Sequence, residues 1–329
     1  MLTLPRFAWA SPATVEETLA LLEGPRGETL LIAGGTDAVP NLKHRLHEPK
    51  RIVHLGRVGE LRYVREDAEG LQIGALVTLT QLTRDPIVQR DFPGLAKAAS
   101  MVAGPQLRNM GTIGGNLCLD TRCTYYNQTF FWREALGFCL KKDGVHCHVV
   151  TAGKRCVAAH SSDVAPMLIA LGAQVEIANR TGRRRIAVDD FFAADGAKNN
   201  VLEPDDLVTL ITVPAASRGL VFGYQKLRPR AAIDFPMLSV AFTARRDGGS
   251  LGGARLVVSA LAAKPRVVSG VDKLLDGVAV DDAVLTAVGQ TAYKQCHPQT
   301  NVPYDKDYRH EMVPVFVKRA VRDALGVTP

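Results

Sequence analysis

Long apolar runs are missing from the sequence. None of its segments approaches the roughly 18 consecutive apolar residues that a membrane-spanning helix needs, although 47% of its 329 residues are hydrophobic. The first residues, MLTLPRFAWASP, hold a proline and one basic side chain, which is not the pattern of a secretory signal. We therefore expect a soluble cytoplasmic protein without membrane contact, long enough for two or three domains of ~100–200 residues.

The common nucleotide-binding and catalytic motifs are missing too. The sequence contains neither G-x-G-x-x-G nor G-x-x-x-x-G-K-[ST], which disfavours a Rossmann fold and a Walker-type phosphate loop. It also shows no Ser-His-Asp set, no metalloprotease helix and no kinase motif. A nucleotide ligand would therefore have to be held by another geometry.

Two glycine-rich turns are present instead. AGGTD spans Ala33, Gly34, Gly35, Thr36 and Asp37, and TIGGN follows roughly 75 residues later. Glycine lets backbone amides approach an anionic ligand because it carries no Cβ. Either turn alone is typical of an ordinary tight corner. Together, each following an apolar segment, they favour a ligand with two ends, such as a dinucleotide.

Cysteines are concentrated in one short part of the chain. Four of the six cysteines lie within 34 residues, separated by 15, 7 and 8 residues: Cys123, Cys139, Cys147 and Cys156. Cytoplasmic thiols stay reduced, so this clustering indicates a metal or redox centre rather than disulfides. Four thiolates suit an iron–sulfur cluster or Zn²⁺. The absence of a C-x(2–4)-C pair among them favours the cluster, and zinc remains the alternative.

The positive charge follows the cysteines. The chain has a net charge of +7, and residues 121–160 hold six basic against two acidic side chains, which is +4. Cations beside the cysteines would offset an anionic cluster or steer an acidic protein partner. This distribution does not indicate nucleic-acid binding. His146, His148 and His160 are further candidate metal ligands, although a surface or supporting role is the more common one.

Hydrophobic periodicity predicts an α+β organisation in three parts. Helices are expected over 11–25, 78–86, 92–104, 161–172, 265–277, 281–295 and 304–326, and NLKHRLHEP is a helix or loop. Strands are expected over 29–35, 51–55 and 205–214, hairpins over 60–76 and 173–192, and antiparallel strands from 219 to 262. We place the domain boundaries at 1–57, 58–215 and 216–329.

The motifs AGGTDAVPNLK, TIGGNLCLD, SDVAPMLIALGA and YQKLR, in this order and spacing, resemble the FAD-binding subunits of the molybdenum hydroxylases. The resemblance covers essentially the whole chain. It implies two N-terminal α+β subdomains that hold FAD, of the vanillyl-alcohol-oxidase/PCMH type, and a C-terminal α+β domain with an antiparallel sheet and helices.

The same resemblance implies roles for individual residues. The AGGTD turn would bind the FAD pyrophosphate, and the second turn would pack against the flavin and its chain through Thr112, Gly114, Gly115 and Asn116. Asp163 matches an aspartate that holds the ribityl chain. Lys226 matches a lysine near the isoalloxazine. A molybdopterin-binding large subunit and a [2Fe-2S] small subunit are the implied partners, in a dimer of heterotrimers.

The sequence departs from the family pattern by an insertion, and the clustered cysteines lie in it. About 40 residues, 121–160, are inserted where ordinary members are contiguous. The insertion resembles that of a branch whose flavin subunits carry an additional [4Fe-4S] cluster. That likeness implies that ferredoxin supplies electrons and that 4-hydroxybenzoyl-CoA is reduced to benzoyl-CoA on the partner subunits, with no catalytic residue here. A conventional hydroxylase flavoprotein with a structural zinc, and a non-catalytic scaffold, are the alternatives.

Overall fold

A computed structural model describes residues 2–22, 24–248 and 250–327. The first unit is a three-stranded parallel sheet of order β1-β3-β2. Its strands are β1 (Ala8–Ala10), β2 (Thr29–Ile32) and β3 (Arg51–His54), and its helices are α1 (Val15–Ala20) and α2 (Ala38–Lys43). The β-α-β unit that the sequence predicts is confirmed, and β1 adds a strand that it missed.

Helix α1 begins later than the sequence indicates. The helix expected over 11–25 begins at Val15, where the side chain of Thr14 accepts a hydrogen bond from the Glu17 amide at 3.1 Å. A hydroxyl at this position satisfies one of the unpaired amides of the first turn, which fixes where the helix starts.

The second unit is an antiparallel five-stranded sheet of order β4-β5-β8-β6-β7. Its strands are β4 (Val64–Glu66), β5 (Gly70–Gly74), β6 (Gln174–Asn179), β7 (Gly182–Ala187) and β8 (Leu207–Pro214). Both hairpins and the last strand confirm the sequence-based expectation.

Short helices connect the strands of this second unit. They are α3 (Leu79–Arg84), α4 (Pro86–Asp91), α5 (Pro93–Ser100), α6 (Pro105–Met110), α7 (Ile113–Leu117), α8 (Phe130–Ala135), α9 (Val164–Ala170) and α10 (Val188–Phe191). Every residue of α9 is buried, so this helix is the centre of the hydrophobic core. Helix α8 is the helix of the insertion, which otherwise consists of turns and loops.

The third unit is an antiparallel sheet of order β12-β11-β10-β9 covered by helices. Its elements are β9 (Val221–Leu227), β10 (Leu238–Asp247), β11 (Ser250–Ser259), β12 (Arg266–Val267), α11 (Val271–Leu275), α12 (Asp282–Gln295) and α13 (Lys306–Leu325). The helix predicted over 265–277 is wrong in its first half. Arg266–Val267 pairs with β11 instead, and a β-branched, half-buried residue such as Val267 is well suited to a strand.

The α+β fold class predicted from the sequence is confirmed. Among the described residues, no helix combines the length and the apolar character needed to cross a bilayer. Division of the chain at residues 57 and 215 stays a prediction.

Candidate functional site

A long cavity of about 560 Å³ lies where the three units meet. This volume is within the roughly 300–1,000 Å³ typical of cofactor and ligand sites. Its wall comes from the turn after β2, the segment 111–122, the start of α9, and the loop between β9 and β10. Most of the predicted cofactor-binding residues line it: Ala33, Gly34, Gly35, Thr36, Asp37, Thr112, Gly115, Asn116 and Asp163.

The AGGTD turn offers unpaired backbone amides to this cavity. Among the described residues, the amides of Gly34, Gly35, Thr36 and Asp37 donate to no protein acceptor. Gly35 has φ +70°, a conformation that a side chain would strain. Consecutive free amides in such a turn form a concave site for an anion. The arrangement therefore fits a phosphate or pyrophosphate group.

The second glycine turn has a different use. Three of its amides are already hydrogen bonded within the protein: Ile113 donates to Val77, Gly114 to Ala75 at 3.0 Å, and Gly115 to the Thr112 hydroxyl at 3.1 Å. A Cβ on Gly114 would lie 2.8 Å from the Cβ of Ala75. The glycine therefore lets α7 pack closely on the neighbouring chain, and Gly114 does not line the cavity.

Asn116 connects the second turn to α9. Its Oδ1 accepts hydrogen bonds from the Ser162 hydroxyl at 2.7 Å and from the Val164 amide at 3.3 Å. The Ser162 hydroxyl in turn accepts from the Ala165 amide at 3.1 Å. Asn116 thereby fixes the start of α9 and the position of Asp163 at the cavity wall.

Asp163 and Lys226 form a buried ion pair. Lys226 Nζ is 2.8 Å from Asp163 Oδ2, and the two side chains are 0% and 3% exposed. Lys226 also donates to the Met101 carbonyl, and the Tyr224 hydroxyl donates to Asp163. Burial raises the pKa of Asp163 and lowers the pKa of Lys226, and each charge opposes the shift of the other. Lys226 does not line the cavity, so it contacts the site through Asp163.

Arg122 joins three separate parts of the cavity wall. Its Nη1 is 2.9 Å from Asp37 Oδ1, and its guanidinium lies 3.8 Å from the ring centroid of Phe235. Asn41 donates to the other carboxylate oxygen of Asp37 at 2.8 Å. Burial raises the pKa of Asp37, which Arg122 opposes. Sequence reasoning missed Arg122, although an arginine at the start of the insertion was a visible signal.

The clustered cysteines converge on a second, small cavity. All four thiols are buried and line the same space, although up to 33 positions separate them in sequence: Cys123, Cys139, Cys147 and Cys156. The Val150 amide donates to the Cys147 sulfur and the Ala158 amide to the Cys156 sulfur, each at 3.4 Å. Burial raises the pKa of Cys156 to about 11. Cys118 and Cys296 lie outside this cavity.

The cysteines surround this space without meeting at one point. Within residues 2–22, 24–248 and 250–327, no group of three or more His, Cys, Asp or Glu side chains is placed to hold a single metal ion. A tetrahedral zinc site draws its sulfurs to about 2.3 Å from one centre. Four thiols around one space are a donor set for a polynuclear cluster, whose metal and sulfide lie between its cysteines, as well as for zinc.

The three candidate histidines have different surroundings. His148 lines the cysteine cavity, and its Nε2 lies 2.5 Å from the Phe138 carbonyl, while His146 is exposed. His160 is fully buried and does not line the cysteine cavity, and its Nδ1 lies 3.0 Å from the Ser259 hydroxyl. Burial lowers the pKa of His160 to about 3. Because a ring nitrogen of His148 is hydrogen bonded to a backbone carbonyl, His148 fits the expected supporting role beside the cysteines.

The positive charge of the insertion is largely paired. Arg122 contacts Asp37, Arg133 and Lys142 both contact Asp143, and Lys141 contacts Asp120 at 2.6 Å. The side chain of Lys141 is 4% exposed. The sequence-based interpretation of these cations as a surface that steers an acidic partner is therefore wrong for Lys141, because the charge count over 121–160 left out Asp120, its partner just outside that range. Lys154 and Arg155 are exposed.

Comparisons with known proteins cover almost the whole chain. The family model for the FAD binding domain in molybdopterin dehydrogenase matches residues 5–216. The model for the CO dehydrogenase flavoprotein C-terminal domain matches residues 223–324.

Individual relatives agree with these matches. The carbon monoxide dehydrogenase medium chain of Hydrogenophaga pseudoflava is 29% identical over 320 residues, which is 97% of each chain. The aldehyde oxidoreductase FAD-binding subunit PaoB of Escherichia coli K12 is 32% identical over 81% of this chain and 83% of its own. A solved structure of the H. pseudoflava carbon monoxide dehydrogenase is similar with a TM-score of 0.82 at 28% identity, covering 98% of this chain and 99% of that one.

Proposed function

Because the chain belongs to the FAD-binding medium subunits of the molybdenum hydroxylase family, we propose that it is an electron-transfer subunit holding both FAD and a [4Fe-4S] cluster. Its enzyme would resemble the 4-hydroxybenzoyl-CoA reductases. In this proposal the chain takes electrons from reduced ferredoxin and delivers them to partner subunits that carry [2Fe-2S] clusters and molybdopterin-bound molybdenum. There the para-hydroxyl of 4-hydroxybenzoyl-CoA leaves as water and benzoyl-CoA is formed.

The long cavity would hold the FAD. The free amides of Gly34, Gly35 and Thr36 would donate to the pyrophosphate, because they have no acceptor in the described part of the chain. Thr112 and Gly115 would line the path of the ribityl chain. When bound, FAD supplies a carrier that exchanges one or two electrons.

Asp163 is the polar group best placed for the ribityl hydroxyls. Its carboxylate lines the cavity, and two donors, Lys226 and Tyr224, hold it in one orientation. An ionised carboxylate accepts hydrogen bonds from hydroxyl groups. The contribution of Lys226 is to keep Asp163 charged and oriented despite its burial.

The convergence of four distant cysteines on one cavity is the observation that carries the cluster assignment. Cys123, Cys139, Cys147 and Cys156 would be its ligands. The amide hydrogen bonds to the sulfurs of Cys147 and Cys156 are of the kind that tunes a cluster potential. When bound, the cluster supplies a one-electron carrier. Tyr125 and Tyr126 would keep water away from it.

Helix α8 supports contact with another protein. Phe130, Phe131 and Trp132 are exposed on it, with Phe131 at 78%. Neighbouring exposed aromatic side chains are typical of protein interfaces rather than of free surfaces. This agrees with a chain that works inside a larger assembly, for which we propose a dimer of heterotrimers.

Absorbance spectra of two cysteine variants test the cluster. Cys139→Ala should remove a broad iron–sulfur band near ~400 nm while the flavin bands remain, because the two cavities have separate linings. Cys296→Ala removes a buried cysteine outside both cavities and is the matched control. Unchanged spectra of both variants would reject cluster ligation by Cys139.

The electron donor has its own test. Lys154 and Arg155 are exposed on the insertion and are available to an acidic partner. Charge reversal at both positions should slow reduction by ferredoxin and leave reduction by dithionite unchanged. Equal slowing by both reductants, or no slowing by either, would reject ferredoxin docking at this surface.

A conventional hydroxylase flavoprotein is the second candidate. Similar chains include carbon monoxide dehydrogenase medium chains and a xanthine dehydrogenase FAD-binding subunit. In that case the insertion would hold a structural zinc, and electrons would leave the substrate for an acceptor such as NAD. Zinc without iron in the purified chain would favour this candidate.

A further inference from the structure

One ion pair stands between the two cavities. Lys141 and Tyr126 line the cysteine cavity, and Asp120 lines the long cavity. Lys141 Nζ is 2.6 Å from Asp120 Oδ1, and the Tyr126 hydroxyl donates to Asp120 Oδ2 at 3.0 Å. The two linings therefore meet through hydrogen bonds between charged or polar side chains rather than through apolar packing.

The pair is held rigidly. Lys141 Nζ also donates to the hydroxyl of Thr121 at 2.6 Å and to its carbonyl at 3.0 Å, and it lies 4.2 Å from the centroid of the Tyr126 ring. The Thr121 amide donates to Asp120 at 2.8 Å. With its side chain 4% exposed, Lys141 is shielded from salt and water, so its charge acts strongly on nearby groups.

We propose that Lys141 and Asp120 are positioning residues that set the relative reduction potentials of the groups in the two cavities. The inference rests on the proposed function, because it needs a redox group in each cavity. Lys141 acts mainly on the group between the cysteines, and Asp120 acts mainly on the flavin.

The sign follows from charge. Reduction adds one electron, and therefore one negative charge, to the group that accepts it. A nearby cation stabilises the reduced form and raises the potential, whereas a nearby anion lowers it. Lys141 therefore keeps the cysteine-held group easier to reduce, and Asp120 keeps the flavin harder to reduce. Loss of either charge changes the driving force between the two groups.

Redox titration of the anaerobic holo chain measures both potentials, with electron paramagnetic resonance for the cluster and absorbance for the flavin. Lys141→Met should lower the cluster potential more than the flavin potential. Asp120→Asn should raise the flavin potential more than the cluster potential. The double variant should lie between the two single variants, because the removed charges are opposite.

Two further variants separate charge from structure. Lys141→Arg keeps the cation and should leave the cluster potential near its original value. Lys142→Met removes a neighbouring cation that pairs with Asp143 and lines neither cavity, so its effect should be smaller than that of Lys141→Met. If Lys141→Met loses its iron, Asp120→Asn decides the question alone.

The outcomes distinguish the inference from the function on which it rests. Potentials that do not move in Lys141→Met and Asp120→Asn, or that move in the same direction, overturn the inference while the cluster assignment stands. An unmodified chain without iron and sulfide removes the proposed function itself, and this inference with it.

Discussion

Gly34 lies in direct contact with the backbone of Met110, so that a Cβ on Gly34 would be 1.9 Å from the Met110 carbonyl oxygen. Gly34 belongs to the AGGTD turn, and Met110 immediately precedes the segment with the second glycine turn. The two motifs that appear in sequence as separate ends of a ligand site are therefore packed together. The AGGTD turn has free amides, and the backbone at Met110, just before the second turn, packs against it.

Gly34→Ala is expected to displace the AGGTD turn. An added methyl group cannot fit against a backbone carbonyl, and overpacking of this kind costs ~1–3 kcal/mol or more. We expect a lower unfolding temperature and loss of bound FAD. Gly59→Ala is the matched control, since nothing lies within 4 Å of a Cβ there. Retention of full FAD occupancy by Gly34→Ala would show that this contact is not required.

Lys226→Met is expected to destabilise the chain by ~3–5 kcal/mol, because it leaves the buried carboxylate of Asp163 without a counter-charge. Chemical denaturation measures the loss. It should be smaller at pH 5 than at pH 7, since burial raises the pKa of Asp163 and protonation removes the unpaired charge. Adding Asp163→Asn should recover part of the stability. A loss that is independent of pH and is not recovered would contradict the ion-pair account.

His160 is expected to make the fold sensitive to moderate acid. Burial holds its pKa at about 3, whereas an unfolded histidine titrates near ~6.5. As the pH falls below ~6.5 the unfolded state takes up a proton first, so stability present at neutral pH is lost. The expected loss from this group is about 2 kcal/mol between pH 7 and pH 5.

The control for this pH dependence is a second histidine substitution. His160→Gln should remove the component of the pH slope between ~7 and ~5, whatever its effect on stability at neutral pH. His146→Gln removes an exposed imidazole and should leave the slope in place. Identical slopes in the unmodified chain and in His160→Gln would refute the assignment.

Gly196→Ala is expected to reduce the iron content. A Cβ on Gly196 would lie 3.0 Å from the Cys156 sulfur and 2.8 Å from the Ala158 amide nitrogen. The methyl group would push Cys156 and the amide that hydrogen bonds to it out of place. Iron per chain measures the effect, with Gly59→Ala again as the control. Unchanged iron in Gly196→Ala would contradict cluster ligation by Cys156.

The elements with strong local signals could be predicted from the sequence. The strands TLLI and RIVH, the hairpin over 173–192 and the buried helix α9 all have clear apolar patterns with turn residues at their ends. Strand β1 and the strand at Arg266–Val267 could not be predicted in the same way. Each is short, and each exists because another strand offers its edge.

The residues of the candidate site likewise fall into those that the sequence predicts and those that it does not. The two turns and the cysteines could be recognised in the sequence itself, because they are contiguous motifs or a conspicuous residue type, and the resemblance to the family added Asp163 and Lys226. The partners of those residues come from distant segments: Arg122 on Asp37, Asp120 on Lys141, and Gly196 beside Cys156. These contacts form only when the tertiary fold brings distant segments together, so they cannot be predicted from local sequence patterns.

The central claim is that the cysteine cavity holds a [4Fe-4S] cluster beside a flavin. The most direct measurement is the content of iron, labile sulfide, zinc and FAD per chain after purification without oxygen. The account predicts about four irons, about four sulfides and about one FAD, with no zinc. About one zinc ion without sulfide, or FAD with no metal at all, would contradict it.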